Sequence, residues 1–279
     1  MPIHAWTIEG SDGLELLGDT HEPADTPLAC AIIVHGYKGY KDYGMFPLTC
    51  EHLARAGVVA HRFNLAHSGM TNETATFARP DLFEQDTWAH QVADLRAVVD
   101  AIRAGRLAGA GLPLFLVGHS RGGVTVLLAA AWHAGELGLA GVVTINAPAA
   151  CCTLSDTDRA SLLADGHLEA PSARTGQTLR VGSAWLREQL DDPERYDLPA
   201  RCRDIACPAL LIHGDADRTV PPPSVRTLAD AIGPRATVCP IPGGDHVLNT
   251  PNPTPMDAEP SAPLAQALDA IGRFIRETA

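Results

Sequence analysis

The stretch that decides the fold is Leu114-Phe115-Leu116-Val117-Gly118-His119-Ser120-Arg121-Gly122, which runs on into a segment rich in Val, Leu and Ala. A short apolar run, a Gly-x-Ser-x-Gly pattern and a helical segment predict a strand, a sharp turn and a helix. Glycines suit this turn because a Cβ at either position would collide with neighbouring backbone. The Ser120 hydroxyl would then lie at a helix amino end, where developing negative charge is favoured. The alternative is an ordinary turn serine.

A serine nucleophile at neutral pH needs a base, and the base needs an acid that orients it. The segment 210–221 places Asp215 and Asp217 just past a predicted strand, and His246 follows a later predicted strand. His246 is the only histidine after position 213, so it is the natural base. Asp245 is interpreted as a loop-capping residue. The chain order Ser, Asp, His is the one expected when a Gly-x-Ser-x-Gly turn carries the nucleophile.

Short β-branched runs alternate with longer amphipathic segments along the chain, which predicts an α/β fold with a mainly parallel sheet covered on both faces. An N-terminal hairpin is predicted from residues 4–9 and 14–20. Further strands are expected at 31–34, 58–63, 114–117, 142–145, 209–212 and 237–239, and helices at about 46–56, 86–104, 121–134, 224–232 and 261–277. Residues 149–207 are too long for an ordinary connection and predict a functional insertion or lid with short helical pieces. Residues 249–263 hold five prolines and predict an exposed loop.

Composition excludes several classes of protein. The 279 residues are 46% hydrophobic and carry a net charge of −12, so a disordered chain and a nucleic-acid or anionic-membrane partner are both disfavoured. The number of cysteines, seven, is odd, and no signal peptide is visible, which predicts reduced thiols in a cytoplasmic protein. The cysteines do not have the spacing of a zinc site, so no bound metal is expected. No apolar stretch reaches the roughly 20 residues of a membrane helix.

From about residue 30 to 275 the sequence resembles the α/β-hydrolase superfamily, and most of all bacterial serine esterases with a His-Gly-x-Lys-Gly-x-Lys-Asp loop, here residues 35–42. The resemblance implies one domain over residues 1–279, with an eight-stranded, mostly parallel sheet flanked by helices. Residues 149–207 would form a small cap inserted after the sixth strand. The resemblance also favours Asp217 as the acid, because Asp217 occupies the acid position of a His-Gly-x-x-Asp-x-x-Val-Pro pattern typical of the family. It also implies that the backbone N–H groups of Tyr37 and Arg121 form an oxyanion hole, although the loop at Tyr37 is also explained as a tight connection.

Several other residues near strand tips or in the insertion are expected to contact substrate or to support the site. The expected substrate contacts are apolar and are Tyr37, Met45, Phe46, Leu65, Trp185 and Leu248. Asn64 departs from the acid found there in many relatives and is interpreted as structural support. His67 and Arg174 are interpreted as loop or surface residues, with a pocket role as the alternative. Vicinal Cys151 and Cys152 are interpreted as small buried residues.

The predicted function is hydrolysis of a carboxylic ester with a small to medium acyl group, through an acyl-enzyme on Ser120. His246 would act as base, Asp217 as its orienting acid, and no metal or organic cofactor would be required. Thioesterase, lactonase and peptidase activities are compatible with the same three residues. A non-catalytic ligand-binding protein of this fold is the rival from another class. The expected partner is a small-molecule ester, and the expected state is a monomer or homodimer.

Overall fold

A central eight-stranded sheet organises the protein, and the computed structural model describes all residues from 1 to 279. Its strands are β1 (Ile3–Glu9), β2 (Glu15–His21), β3 (Ala29–Val34), β4 (Val58–Phe63), β5 (Leu114–His119), β6 (Leu139–Ile145), β9 (Ala209–Gly214) and β10 (Ala236–Ile241). They lie in the order β1-β2-β4-β3-β5-β6-β9-β10. Strand β2 runs antiparallel to both of its neighbours, and the other neighbouring pairs are parallel. The predicted α/β class and the mostly parallel sheet are confirmed.

Helices cover both faces of this sheet, which explains why the central strands are apolar along their whole length. They are α1 (Met45–Arg55), α2 (Pro80–Glu84), α3 (Trp88–Arg103), α4 (Arg121–Trp132), α5 (Asp156–Asp165), α6 (Ala184–Asp191), α7 (Leu198–Cys202), α8 (Pro223–Ile232) and α9 (Ala262–Thr278). Successive residues of β3 alternate between two cores: Ile32 lies in a cluster of 42 residues with α3 and α4, and Ile33 lies in one of 23 residues with α1 and α9. The sequence of a strand that is buried on both faces is a continuous run of apolar residues. No helix is both long enough and apolar enough to cross a membrane.

The segment between β6 and β9 holds more structure than its sequence indicated. Besides α5, α6 and α7 it forms a two-stranded antiparallel hairpin of β7 (His167–Pro171) and β8 (Thr178–Gly182). The sequence analysis missed this hairpin because its strands are half polar and lack a β-branched run. It also missed α2 and α7, which are single short turns of helix. The loop predicted over residues 249–263 is two residues shorter in the structure, because α9 begins at Ala262. Pro263 lies in the first turn of α9, where a proline is tolerated.

Several polar contacts fasten the insertion to the body of the protein, among them those of Gln177 and Glu188. The Gln177 amide accepts a hydrogen bond from Phe77 N (2.8 Å) and donates one to Phe77 O (3.1 Å). The Glu188 carboxylate accepts from Trp88 N (2.6 Å) and Ala89 N (3.2 Å), at the amino end of α3. A carboxylate is favoured there because the first N–H groups of a helix lack intrahelical partners.

Candidate active site

Ser120 lies in a strained turn between β5 and α4. Its backbone has φ 54° and ψ −121°, a left-handed φ that is uncommon for a residue other than glycine. A Cβ on Gly118 would lie 2.2 Å from Gly122 O, and one on Gly122 would lie 2.3 Å from Val34 O. Both flanking glycines are therefore required by close backbone approach, as the sequence pattern predicted.

Three side chains from separate loops meet at this turn. The Ser120 Oγ lies 2.9 Å from His246 Nε2, and His246 Nδ1 lies 2.8 Å from Asp217 Oδ2. These are hydrogen-bond distances in the order nucleophile, base and orienting acid. The structure thus brings together the three residues that the sequence analysis selected.

The acid is held by its own loop. Asp217 Oδ1 accepts hydrogen bonds from Thr219 N (2.8 Å) and Val220 N (3.0 Å), which leaves Oδ2 for His246. Burial by itself would raise the pKa of Asp217, but the His246 hydrogen bond and the two backbone N–H groups outweigh it and hold the pKa below its usual value. The Asp217 carboxylate is therefore charged at neutral pH, and its position suits the stabilisation of a positive charge on the His246 ring.

The two other acids that the sequence analysis weighed serve their loops. Asp215 Oδ1 accepts from Gly243 N (2.7 Å). Asp245 Oδ1 accepts from Val247 N (3.0 Å) and Asn249 N (2.7 Å), which is a loop-capping arrangement.

Two backbone N–H groups next to Ser120 are available to a ligand. The amide of Arg121 is the first of helix α4, and such groups have no partner within their helix. The amide of Tyr37 donates no hydrogen bond within the protein. A Cβ built on Gly36 would lie 3.0 Å from Ser120 Cβ and 3.4 Å from Arg121 N, so the loop after β3 packs directly on the nucleophile turn. Free donors at this position suit a developing oxyanion.

Asn146, at the end of β6, ties the loops of the acid and the base together, and the sequence analysis missed it. Its side chain is fully buried; Nδ2 donates to Asp245 O (3.0 Å) and His246 O (2.9 Å), and Oδ1 accepts from Gly214 N (2.8 Å). Its φ of 53° is left-handed. An asparagine directly after a predicted buried strand was the available signal, because asparagine tolerates this conformation better than most residues.

His119 supports the same loop from below. Its Nε2 donates to His246 O at 2.7 Å, and its ring centroid lies 4.9 Å from that of His246. Burial first, and then the positive charge that His246 can carry, lower the pKa of His119 to about 3. His119 is therefore neutral in the folded protein and is a weak base, and its Nε2–H is used by the His246 carbonyl.

A buried ionic network holds the loop of residues 35–42. Lys41 Nζ lies 2.7 Å from Asp19 Oδ2 and 2.8 Å from Asp42 Oδ2, and Arg62 Nη2 lies 2.9 Å from the same oxygen of Asp19. Asn64 Oδ1 accepts from Lys41 N at 2.7 Å. These contacts agree with the interpretation of Asn64 as structural support, and they give Lys41 and Asp42 a positioning role.

A cavity of about 210 Å³ opens above Ser120. Two of the expected substrate contacts, Tyr37 and Phe46, line it. So do residues 171–174 of the β7–β8 hairpin, which places the insertion over the candidate site. The complete lining is Gly36, Tyr37, Lys38, Gly39, Tyr43, Phe46, His119, Ser120, Pro171, Ser172, Ala173, Arg174, His246 and Val247.

The other four expected substrate contacts do not line this cavity. Met45 and Leu248 are buried in the core beneath α1 and α9, and Leu65 belongs to the core on the opposite face of the sheet. Trp185 packs on Trp88, with ring centroids 6.4 Å apart. Position near a strand tip therefore did not separate lining residues from core residues, because apolar side chains there bury themselves wherever space allows.

Arg121 shapes the same region through its side chain. The guanidinium lies 4.6 Å from the ring centroid of Trp88 and 5.0 Å from that of Trp185, and 3.4 Å from Asp86 Oδ2. Burial raises the pKa of Asp86 to about 6, although the neighbouring Arg121 charge opposes the shift. Trp185 belongs to α6, so this stack joins the insertion to the helix that begins at the nucleophile.

One group of side chains is close enough to share a metal ion, and it lies outside the cavity. Asp12 Oδ2 is 3.4 Å from His67 Nε2 and 3.3 Å from His90 Nε2. The two imidazole rings are stacked, with centroids 4.1 Å apart and 10° between their planes, and both Nε2 atoms lie beside the same Asp12 oxygen. As placed, both imidazoles are arranged to donate to Asp12.

The seven cysteines are free thiols, and none lines the cavity. Cys151 is buried, and burial raises the pKa of its thiol well above the usual value. A reactive cysteine needs a lowered pKa, so this environment agrees with its interpretation as a small buried residue.

A serine in a strand–turn–helix elbow, hydrogen-bonded to a histidine on the carboxyl edge of an eight-stranded sheet, defines the α/β-hydrolase class of protein. The sequence matches the family model described as the alpha/beta hydrolase family over residues 31–266, and the chain belongs to that family.

Solved structures agree with this assignment. The esterase domain from a Rhodothermus marinus protein is 22% identical with a TM-score of 0.67, over 99% of both chains. Est1E from Butyrivibrio proteoclasticus, in a structure with ferulic acid bound, is 20% identical with a TM-score of 0.73, over 98% of this chain and 99% of that one. The alpha/beta hydrolase domain-containing protein 10 from mouse is 20% identical with a TM-score of 0.69, over 99% of this chain and all of that one. A comparison with curated protein sequences gives no significant match.

Proposed function

We propose that the protein hydrolyses carboxylic esters through an acyl-enzyme on Ser120. The observation that carries the proposal is the continuous hydrogen-bonded arrangement of Ser120, His246 and Asp217 beside a cavity. A serine hydroxyl is a weak nucleophile by itself, and this arrangement supplies the base and the acid that activate it.

The proposed reaction has two halves. His246 Nε2 takes the proton of Ser120 as Oγ attacks the ester carbonyl, and then gives that proton to the departing alcohol. Asp217 keeps the imidazole in the correct tautomer and stabilises its positive charge. The N–H groups of Tyr37 and Arg121 stabilise the oxyanion. Water activated by His246 then attacks the acyl-enzyme and releases the acid.

The insertion is proposed to act as a cap that limits substrate size. Residues 171–174 form one wall of the cavity, and the volume of about 210 Å³ lies below the roughly 300–1,000 Å³ of drug-sized sites. This supports an acyl group of small to medium size. The esterase domain from Rhodothermus marinus and Est1E, whose structure holds ferulic acid, share the fold and make an ester the first substrate class to test.

The test combines a covalent probe with a substrate panel. The wild-type protein should react with a fluorophosphonate probe and hydrolyse p-nitrophenyl esters, with shorter acyl chains preferred. Ser120→Ala should abolish labelling and lower kcat by roughly 10⁴-fold or more. Ser11→Ala, at the tip of the β1–β2 hairpin, is a matched control that should retain both.

The remaining candidate functions are outcomes of the same panel. Faster turnover of thioesters, lactones or peptides than of esters would replace the proposed substrate class, because the same three residues serve all of them. An absence of both labelling and turnover would favour a ligand-binding protein. Full labelling of Ser120→Ala would overturn the assignment of the nucleophile.

A further inference from the structure

The charges on the cavity wall are all of one sign. Lys38 and Arg174 both line the cavity, and none of the fourteen lining residues is an aspartate or glutamate. The protein as a whole carries 33 acidic against 21 basic side chains, so a wall that presents only cations is contrary to the overall balance. The local field therefore favours an anion inside a protein whose net charge repels one.

Lys38 has no carboxylate partner. Its Nζ donates to Pro171 O at 2.7 Å and lies 5.0 Å from the centroid of the Tyr37 ring, and no acidic oxygen lies within 4.0 Å of it. An ammonium has three donors, and one is used. The hydrogen bond to Pro171 holds the amine between the loop after β3 and the hairpin of the insertion.

Arg174 is also without a carboxylate partner. Its guanidinium lies 4.8 Å from the Tyr40 ring centroid and 4.9 Å from that of Phe77, and it donates to Thr74 O and, at 3.4 Å, to Met70 Sδ. Three of its five N–H donors remain free. The two aromatic rings and the two hydrogen bonds together restrict the movement of the guanidinium.

The other cations close to the site are paired, which sets these two apart. Lys41 and Arg62 both bind Asp19, and Arg121 lies 3.4 Å from Asp86. Partly buried cations without a counter-charge are costly unless a ligand supplies one.

On this basis, and on the proposed ester hydrolysis, we propose that the preferred substrate is an ester that also carries a carboxylate, which Lys38 and Arg174 bind while Ser120 attacks the ester carbonyl. A half-ester of a short dicarboxylic acid would carry this group on the acyl side, and an ester of a hydroxy acid would carry it on the alcohol side. Lys38 and Arg174 are in this view residues that determine specificity.

The experiment measures kcat/KM for two matched pairs of esters. One pair is monomethyl adipate and dimethyl adipate, with the charge on the acyl side. The other is 4-(acetoxymethyl)benzoate and its methyl ester, with the charge on the alcohol side. In at least one pair the anionic ester should be preferred about tenfold or more, as expected for a charge-assisted hydrogen bond. The preference should fall between 20 mM and 500 mM salt, because salt screens the attraction.

Variants identify the residues responsible. Lys38→Met and Arg174→Gln should each bring the ratio of anionic to neutral turnover towards one, mainly through KM, and Lys38→Glu should bring it below one. Arg180→Gln is the matched control, because Arg180 is an exposed arginine of β8 that does not line the cavity. It should leave the ratio as in the wild type.

Two results would overturn the inference while leaving the proposed function intact. They are Ser120-dependent hydrolysis with no preference for the anionic ester in either pair, and a preference that survives in both Lys38→Met and Lys38→Glu. Absence of Ser120-dependent hydrolysis of any ester would overturn the proposed function and this inference together.

Discussion

Replacing Asn146 by alanine tests whether the active-site loops are held in place by one buried side chain. The substitution removes the bonds to Asp245 O, His246 O and Gly214 N. The two carbonyls each keep another donor, from Leu248 N (3.0 Å) and His119 Nε2 (2.7 Å). The N–H of Gly214 loses its partner inside the protein.

The expected loss of stability follows from the lost hydrogen bond of Gly214 N and from the backbone conformation of residue 146. An orphaned buried N–H costs about 1–3 kcal/mol. A left-handed φ costs an alanine about 1 kcal/mol more than an asparagine or glycine. The free energy of unfolding should therefore fall by about 2–4 kcal/mol in Asn146→Ala. Asn146→Gly should lose about 1 kcal/mol less, because glycine adopts this φ without strain.

The activity should fall by more than the stability requires. With Asn146 gone, the loops of Asp217 and His246 keep their contacts through Ala216 N and Gly243 N, but no side chain at the end of β6 holds both loops. A displacement of about 1 Å in a reacting group costs roughly a hundredfold in rate. We expect kcat on a neutral ester to fall about tenfold to a hundredfold in both variants at a temperature where each is folded.

Urea unfolding and steady-state kinetics are the two assays. Asn146→Asp is the most informative companion, because its carboxylate can still accept from Gly214 N but faces two carbonyl oxygens. It should be less active than Asn146→Ala at neutral pH. An Asn146→Ala protein with wild-type kcat and less than about 0.5 kcal/mol of lost stability would refute the reasoning.

Three further predictions concern pH, the oxyanion loop and the insertion. Burial lowers the pKa of His35 and His61 to about 4 and of His119 to about 3, so the unfolded chain binds more protons than the folded protein below pH 6.5. Urea titrations should then show stability falling from pH 6.5 to pH 4.5 by up to about 1.4 kcal/mol per pH unit per histidine, and no loss would contradict the burial of these rings. Gly36→Ala should lower kcat about tenfold or more with little change in KM, because its Cβ would displace the Tyr37 N–H; wild-type kinetics would exclude that donor. Glu188→Ala should cost about 1–3 kcal/mol in urea unfolding, because two N–H groups of α3 lose their acceptor, whereas an exposed control such as Glu136→Ala should cost under 0.5 kcal/mol.

Local sequence patterns were enough to predict the strands of the sheet and the turn that carries Ser120. The strand Val58–Phe63 has the bounds that the sequence predicted, and the bounds of the other sheet strands agree with the prediction within three residues. In α3 the buried residues Trp88, Val92, Leu95, Val99 and Ile102 recur at steps of three and four, as expected for one face of a helix. Such features depend on neighbours in the chain, so they can be read from a window of a few residues.

Features made by distant contacts were missed or placed wrongly. The β7–β8 hairpin is held by the hydrogen bonds of Gln177 to Phe77, 100 residues away in the chain. Its strands contain too few apolar residues to be predicted from the sequence pattern. Leu65 and Leu248 were expected in the pocket and are core residues, because burial depends on which helix covers each strand tip. Asn146 bonds to residues 68 to 100 positions further along, which no local pattern reveals.

The sequence by itself determined the class of fold, the turn that carries Ser120 and the selection of His246, through backbone sterics, apolar periodicity and the order of residues along the chain. The preference for Asp217 over Asp215 came from the resemblance to the family's sequence pattern. The tertiary structure decided which side chains enclose the cavity. It placed Lys38 beside the insertion and left both Lys38 and Arg174 without carboxylate partners. Lys41 and Arg62, by contrast, form ion pairs with Asp19. The physical reason is that desolvation and pairing of charges depend on what is brought within about 4 Å, and in a folded chain those neighbours come from distant segments.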